Sequence, residues 1–448
     1  MAQGVRREFG GAESVGADVV TQVITEDGHL VSVEVHPVLE ELREDGGIPS
    51  PIGDLHESRV SRSLARRRRA RARWATLLVP PVCAFAFAVL LLYVAALRDG
   101  ATRDFFSFAH WGRYDSGIYL GTAAHGFNLS QCVGPAYPPH SWCGTAGWAP
   151  LYPGLMWLLG HLGFMLGTAG MVLAAVFAYL TLQSVWVLIG PSWSFSKLCC
   201  LALAACFPGM VYYYALYPVS LLAFLSVVGL ILFIRGHFLS AGITGAFCAW
   251  AFAVGPLIGV VFLLAALILH RGPSFWRVAL QTTGVAFAGF AALLAFSQWA
   301  VGNWKAYFLI QAKYNNGLHD PVATFLSSFT GGPPAKYPLQ DPSPAYQYLV
   351  PKAQTALVAA LVIGLVVWTL RSRQVSRADW VILSYTVVFW IAPLLDGPTL
   401  GRYRLEALLV PCTALCTRLP RVIQIALVGT SAVLAVGLTS LFTRNVLW

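Results

Sequence analysis

Eight carboxylates bear on any chemistry this chain could perform. Of its 20 acidic residues, twelve lie before position 58, and the rest are Asp99, Asp104, Asp115, Asp320, Asp341, Asp379, Asp396 and Glu406. Asp320, Asp341 and Asp396 each precede Pro or Gly, a turn setting. Asp99 ends an apolar run, where an interfacial anchor is expected. Asp115 lies between Tyr114 and the small pair Ser116-Gly117, with Arg113 close by in sequence as a source of positive charge. A carboxylate so placed can take the proton of an attacking hydroxyl. It can equally cap a helix beginning near Ser116 or pair with Arg113. Asp104 is the second candidate base. The cations that could work with them are Arg402 and Arg404, which flank Tyr403, and Lys313, which follows Gln311. Guanidinium forks fit phosphate oxygens, although the two arginines could instead snorkel at a helix end or pair with Glu406. Glu406 reads as part of an apolar span, where a carboxylate must be paired or line a cavity.

The elements that position these residues are membrane helices. The 448-residue chain is 57% hydrophobic and only 11% charged, too little charge to cover a soluble surface. Apolar runs at 75–97, 171–189 and 422–441 are long enough to cross about 30 Å of hydrocarbon. Arg59, Arg62, Arg66, Arg67, Arg68, Arg69, Arg71 and Arg73 stand directly before the first run, a pattern that keeps a helix end cytoplasmic and attracts anionic lipid. The net charge of +10 is therefore read as a membrane partner and not as a nucleic-acid one. Residues 1–74 are expected to be a largely disordered cytoplasmic tail, with an alternation at 19–35 that could pair as a hairpin. Residues 75–448 are expected to form an all-α, polytopic transmembrane domain of about eleven spans, with the C-terminus outside. Its two long extracytoplasmic loops would be 98–148 and 302–351, with 151–163 a juxtamembrane or re-entrant helix. Both loops are dense in Trp, Tyr and Pro, so chemistry is expected on the outer face.

The first loop carries His110-Trp111-Gly112-Arg113-Tyr114-Asp115-Ser116-Gly117-Ile118-Tyr119-Leu120, and later Ala149-Pro150-Leu151-Tyr152-Pro153. This stretch resembles the PIG-V-like mannosyltransferases, of the GT-C class of integral membrane glycosyltransferases, whose loop has an Arg-Trp-Asp-Ser-Gly-x-Tyr-Leu pattern followed by Phe-Pro-Leu-Tyr-Pro. The resemblance continues at Tyr217-Pro218-Val219-Ser220, through 302–311 to Pro321, and at Gly401-Arg402-Tyr403-Arg404-Leu405 with Pro411. It implies a GT-C-like fold and an inverting transfer of a hexose, most often mannose. The donor would be a polyprenyl-phosphate sugar used on the extracytoplasmic side, without nucleotide or cofactor, and the acceptor a glycolipid, glycan or protein. On this reading Asp115 is the base and Asp104 its alternate. Arg402, Tyr403, Arg404, Lys313 and Tyr217 hold the donor, and Arg113, Tyr114, Tyr119, Tyr152 and Gln311 shape the acceptor side. One carboxylate suffices for such a transfer, because a phosphate held by cations leaves without the protonation a glycosidase must supply. The chain departs from the family at Tyr217-Pro218-Val219-Ser220, where Tyr-Ser-Glu-Ser is usual, and at Ala253-Val254-Gly255-Pro256, where Thr-Arg-Pro is common. A glutamate and an arginine are thereby absent.

Two other functions remain open. A non-catalytic scaffold or partner subunit binding polyprenyl phosphate would explain those absences. A lipid or solute transporter is disfavoured by spans almost free of ionisable residues and by the lack of a detectable repeat between halves. His110, His125 and His140 lack tight metal-ligand spacing, so no metal site is expected. Most cysteines lie in or near spans as small packing residues. Cys132 and Cys143 share the external loop, where a disulfide persists, and are expected to be bridged. Richness in Ala, Gly and Arg suggests a bacterium of high genomic GC, hence its inner membrane.

Overall fold

The computed structural model describes residues 20–24, 30–34, 51–134, 139–313, 318–330, 344–397 and 402–445. The chain divides into two compact units, Met1–Ala70 and Arg71–Trp448. In the first, β1 (Val20–Ile24) and β2 (Leu30–Glu34) pair antiparallel, with Val20 opposite Glu34. The alternation seen at 19–35 is thus a hairpin. Helix α1 spans Pro51–Arg98. Its part before residue 75, expected within a disordered tail, is helical. Pro51 opens it at a position where a missing N–H is harmless, and the Leu, Ala and Arg that dominate it are strong helix formers.

The larger unit is almost wholly helical. After α1 come α2 (Phe108–Trp111), α3 (Ser116–His125), the two-residue strands β3 (Ser130–Gln131) and β4 (Trp142–Cys143), and α4 (Leu151–His161). Next are α5 (Leu166–Ile189), α6 (Phe195–Ala205), α7 (Val211–Tyr214), α8 (Val219–Ile234), α9 (Phe238–Ala251) and α10 (Leu257–Leu269). Then α11 (Pro273–Ala279) runs through a π turn at Leu280–Gly284 into α12 (Val285–Val301), followed by α13 (Ala306–Ala312), α14 (Pro321–Thr330), α15 (Pro344–Arg371) and α16 (Arg377–Leu395). The chain closes with α17 (Arg402–Ala407), a 3-10 segment at Val410–Arg418, and α18 (Arg421–Thr443).

Among the described residues, six helical stretches are long and apolar enough to cross a membrane: Trp74–Arg98, Leu166–Ile189, Pro273–Val301, Leu349–Arg371, Arg377–Leu395 and Arg421–Thr443. Four shorter apolar helices, α6, α8, α9 and α10, accompany them. The protein is a multi-pass, all-α membrane protein. Large apolar side chains such as Leu90, Val176, Trp299 and Val433 stay exposed, as a lipid-facing surface requires. At 11 residues, α4 is about 16 Å long, too short to cross.

The chain around Glu406 differs from the span expected there. It forms the six-residue α17 and then a 3-10 segment. Pro411 explains the break, because it has no N–H for the preceding turn and its ring obstructs that turn's carbonyl.

Two contacts show how this unit satisfies its polar backbone. Pro80 and Pro81 lie inside α1 and leave the carbonyls of Thr76 and Leu77 without helical donors. Trp186 Nε1 donates to Thr76 O (2.8 Å) and Gln183 Nε2 to Leu77 O (3.2 Å), both from α5. In the apolar bundle, α9 packs on α8 and α12. A Cβ at Gly242 would lie 2.1 Å from Gln281 O, and one at Gly289 would lie 2.3 Å from Ala246 Cβ. Small residues let the backbones approach where lipid supplies no hydrophobic drive.

Candidate active site

Tyr114 has a positive φ (+49°), a conformation that costs strain outside glycine. It turns the chain so that Asp115 becomes the N-cap of α3, yet the Asp115 side chain makes no capping hydrogen bond. The carboxylate instead pairs with the Arg404 guanidinium, 289 residues away. Arg113 is not its partner, since Arg113 Nε donates to Thr443 O at 3.1 Å. Glu406 is not what holds Arg404, either. Its oxygens accept from Gln354 Nε2 (2.6 Å) and Thr355 Oγ1 (3.0 Å).

Tyr217 fixes this arrangement. Its hydroxyl donates to Arg113 O (3.1 Å) and accepts from the Asp115 N–H (3.2 Å), while Ser116 Oγ donates to Leu216 O (3.2 Å). Two sequence motifs a hundred residues apart are thereby docked on each other. The Arg404 guanidinium lies 5.4 Å from the centre of the Tyr217 ring, a cation–π distance. Edge-to-face rings extend the wall: Tyr119 on Tyr152 (5.7 Å) and on Tyr217 (6.1 Å), Tyr212 on Tyr217 (5.7 Å), and Phe442 against Tyr114, Tyr212 and Tyr217. Tyr152 is itself locked by a 2.7 Å hydrogen bond to Gly170 O. The Asp115 side chain is 26% exposed and that of Arg404 18%, so the pair is open to a ligand while its surroundings are buried.

The other acids are occupied differently. Asp99 accepts from Ser440 and Arg444, tying the end of α1 to α18. Asp379 forms the capping box of α16 and pairs with Arg418. Asp320 accepts from the Val322 N–H at the start of α14 (2.8 Å). Asp396 closes α16, and burial holds its carboxyl pKa above the ordinary value. Asp341 lies outside the described residues. Asp104 stands exposed in the 3-10 turn Thr102–Asp104, and no described contact joins it to Asp115. Of the candidate cations, Arg402 opens α17, but its side chain lies outside what is described. Gln311 Nε2 donates to Gly147 O (3.1 Å), and Lys313 Nζ reaches Cys143 Sγ (3.6 Å), so their described contacts go to the first loop. Burial there lowers the Lys313 pKa.

Cys132 and Cys143 are bridged, with Cα atoms 5.0 Å apart, beside the β3–β4 ladder. Replacing both by Ser is expected to destabilise the protein by up to about 3 kcal/mol, the entropy of so short a loop, less whatever the prolines within it already restrict. Thermal unfolding in detergent, oxidised against reduced, measures this. A narrow apolar pocket is lined by Phe127, Trp148, Pro150, Leu293, Phe296 and Tyr307, among others. Pro150 leads directly into α4 and Tyr152.

Sequence reading missed Tyr212, Phe442 and Gln354. The run Tyr212-Tyr213-Tyr214 was a visible signal, whereas Phe442 and Gln354 look like ordinary residues of a span. Among the described residues, no three His, Cys, Asp or Glu side chains gather as a metal site. The chain matches no protein-family model and no curated protein sequence. Fold and site together define a multi-pass helical membrane protein with a partly open Asp–Arg pair set among tyrosines.

Proposed function

We propose that the protein is an inverting membrane glycosyltransferase that moves a sugar from a polyprenyl-phosphate donor to a hydroxyl acceptor. The observation that carries this is the Asp115–Arg404 pair, a carboxylate not spent on capping its own helix and joined to a guanidinium suited to phosphate. The resemblance of the surrounding motifs supplies the sugar, mannose, and the GT-C class.

In this mechanism the donor phosphate draws Arg404 from Asp115, since both oxyanions compete for one fork. The freed carboxylate takes the acceptor O–H proton as the oxygen attacks the anomeric carbon. The bond from that carbon to the phosphate oxygen breaks, and its electron pair stays on the departing polyprenyl phosphate, which Arg404 neutralises. The buried rings of Tyr119, Tyr152 and Tyr217 hold the pair in place, and the exposed apolar helix faces offer an isoprenoid chain a lipid-like surface. A photoreactive polyprenyl-phosphate mannose should label the purified protein, and excess polyprenyl phosphate should compete while a nucleotide-linked mannose should not. Competition by the nucleotide sugar alone would overturn the donor class.

The site is proposed to face outward in a bacterial inner membrane of about eleven passes, with residues 1–74 inside. Single cysteines at Ser130 and Leu318, in a chain whose free cysteines are replaced, should react with an impermeant thiol reagent in intact cells. Cysteines placed before residue 50 should not. The reverse pattern would put the site on the wrong side for this donor.

The second reading, a scaffold that binds polyprenyl phosphate without turnover, is favoured by the turn at Tyr217–Ser220. Pro218-Val219 there supplies no carboxylate, and Val219 and Ser220 are fully buried. Labelling without transfer would establish it.

A further inference from the structure

Helix α17 is too short to hold its own orientation. Its six residues make fewer than two turns, and isolated helices of that length are unstable in themselves. Neighbouring elements therefore decide where Arg404 points. On one side, Gln354 and Thr355 of α15 converge on Glu406, and Gln354 Nε2 also reaches Tyr403 O at 3.4 Å. All three side chains are buried, with Gln354 0% exposed. On the other side, Gly209 comes so near that a Cβ there would lie 2.6 Å from Tyr403 O. Past the helix, the carbonyls of Ala407 and Leu408 accept from Tyr213 and Tyr385 hydroxyls, so the turn that ends α17 is pinned as well.

We infer that Glu406 is a positioning residue for Arg404, acting through its two hydrogen bonds to α15. Residues two apart on a helix project about 200° from each other. Arg404 therefore faces Asp115 while Glu406 faces Gln354 and Thr355, and the hold on Glu406 sets the rotation of α17 that places the guanidinium. The residue type fits the task. Gln354 and Thr355 both donate to it, and a carboxylate accepts at both oxygens with the charge that strengthens each bond, a charge an amide lacks. A small pocket flanked by Phe325, Trp390 and Leu394 borders the same carboxylate.

The inference rests on the proposed role of Arg404, and its test is built so that the two can fail separately. In full-length protein in detergent, Asp115→Asn and Arg404→Gln are made singly and together, and thermal midpoints are read. Non-additive shifts report the Asp115–Arg404 contact. In a Glu406→Gln background that non-additivity should shrink by more than half. In the exchanged variant Gln354→Glu with Glu406→Gln, which restores an amide–carboxylate pair, it should return. With labelled polyprenyl-phosphate mannose as probe, Glu406→Gln should cut transfer at saturating donor at least about tenfold, and the exchange should recover most of it. A uniform drop in midpoint with the non-additivity intact would make Glu406 merely structural and overturn the inference. If the wild type transfers nothing while the non-additivity still depends on Glu406, the proposed function falls and the positioning role stands.

Discussion

Asp115→Asn is expected to lower sugar transfer by about a hundredfold or more, the usual loss when a positioned base is removed. The substitution keeps size and shape, and an asparagine oxygen can still accept from Arg404. The backbone contacts that build the site, Tyr217 on the Asp115 N–H and Ser116 on Leu216, do not use the carboxylate. Folding and donor labelling should therefore persist while turnover disappears. Initial rates of the purified variant at saturating donor check this. Rates near those of the wild type would remove Asp115 from the mechanism and leave Asp104 as the acid to test, despite its exposed position.

Arg404→Gln is expected to act earlier, on the donor. A charge-assisted hydrogen bond to phosphate is worth roughly 1.5–3 kcal/mol, so donor affinity should fall by about ten- to a hundredfold. The variant also leaves Asp115 without its counter-charge in a partly buried site, and some loss of thermal stability should accompany the loss of affinity. Arg404→Lys separates the two effects. Lysine keeps the charge but not the planar fork or its stacking on Tyr217, so it should restore stability better than donor binding. Donor titration by photolabelling, with thermal midpoints in parallel, measures both. Equal recovery of the two by lysine would reduce Arg404 to a simple counter-ion.

Much of the scaffold was legible in the sequence because lipid imposes strong rules. Long apolar runs and an arginine cluster identified a polytopic membrane protein, and two cysteines in a polar loop identified the bridge. The finer architecture was harder to read. Hydropathy cannot see that Pro411 converts an apolar stretch into a 3-10 segment, or that residues 51–74, polar but rich in helix formers, join the first span. The site residues Asp115 and Arg404 were each singled out, but their pairing was not. Local reasoning offered Arg113 and Glu406 as partners because those are close in sequence, whereas the actual contact is made by tertiary packing across 289 residues. Gln354 was invisible for a related reason. An amide inside an apolar span signals nothing until its partner is placed opposite it.

The most direct test is the release of polyprenyl phosphate by the purified full-length protein from a labelled polyprenyl-phosphate mannose, with membrane glycolipid extract as acceptor. Free polyprenyl phosphate and a newly mannosylated product should appear together, with inverted anomeric configuration, and both should vanish in Asp115→Asn. Donor bound but never consumed, in the presence of that extract and in an oriented membrane, would contradict a transferase and leave a polyprenyl-phosphate-binding scaffold.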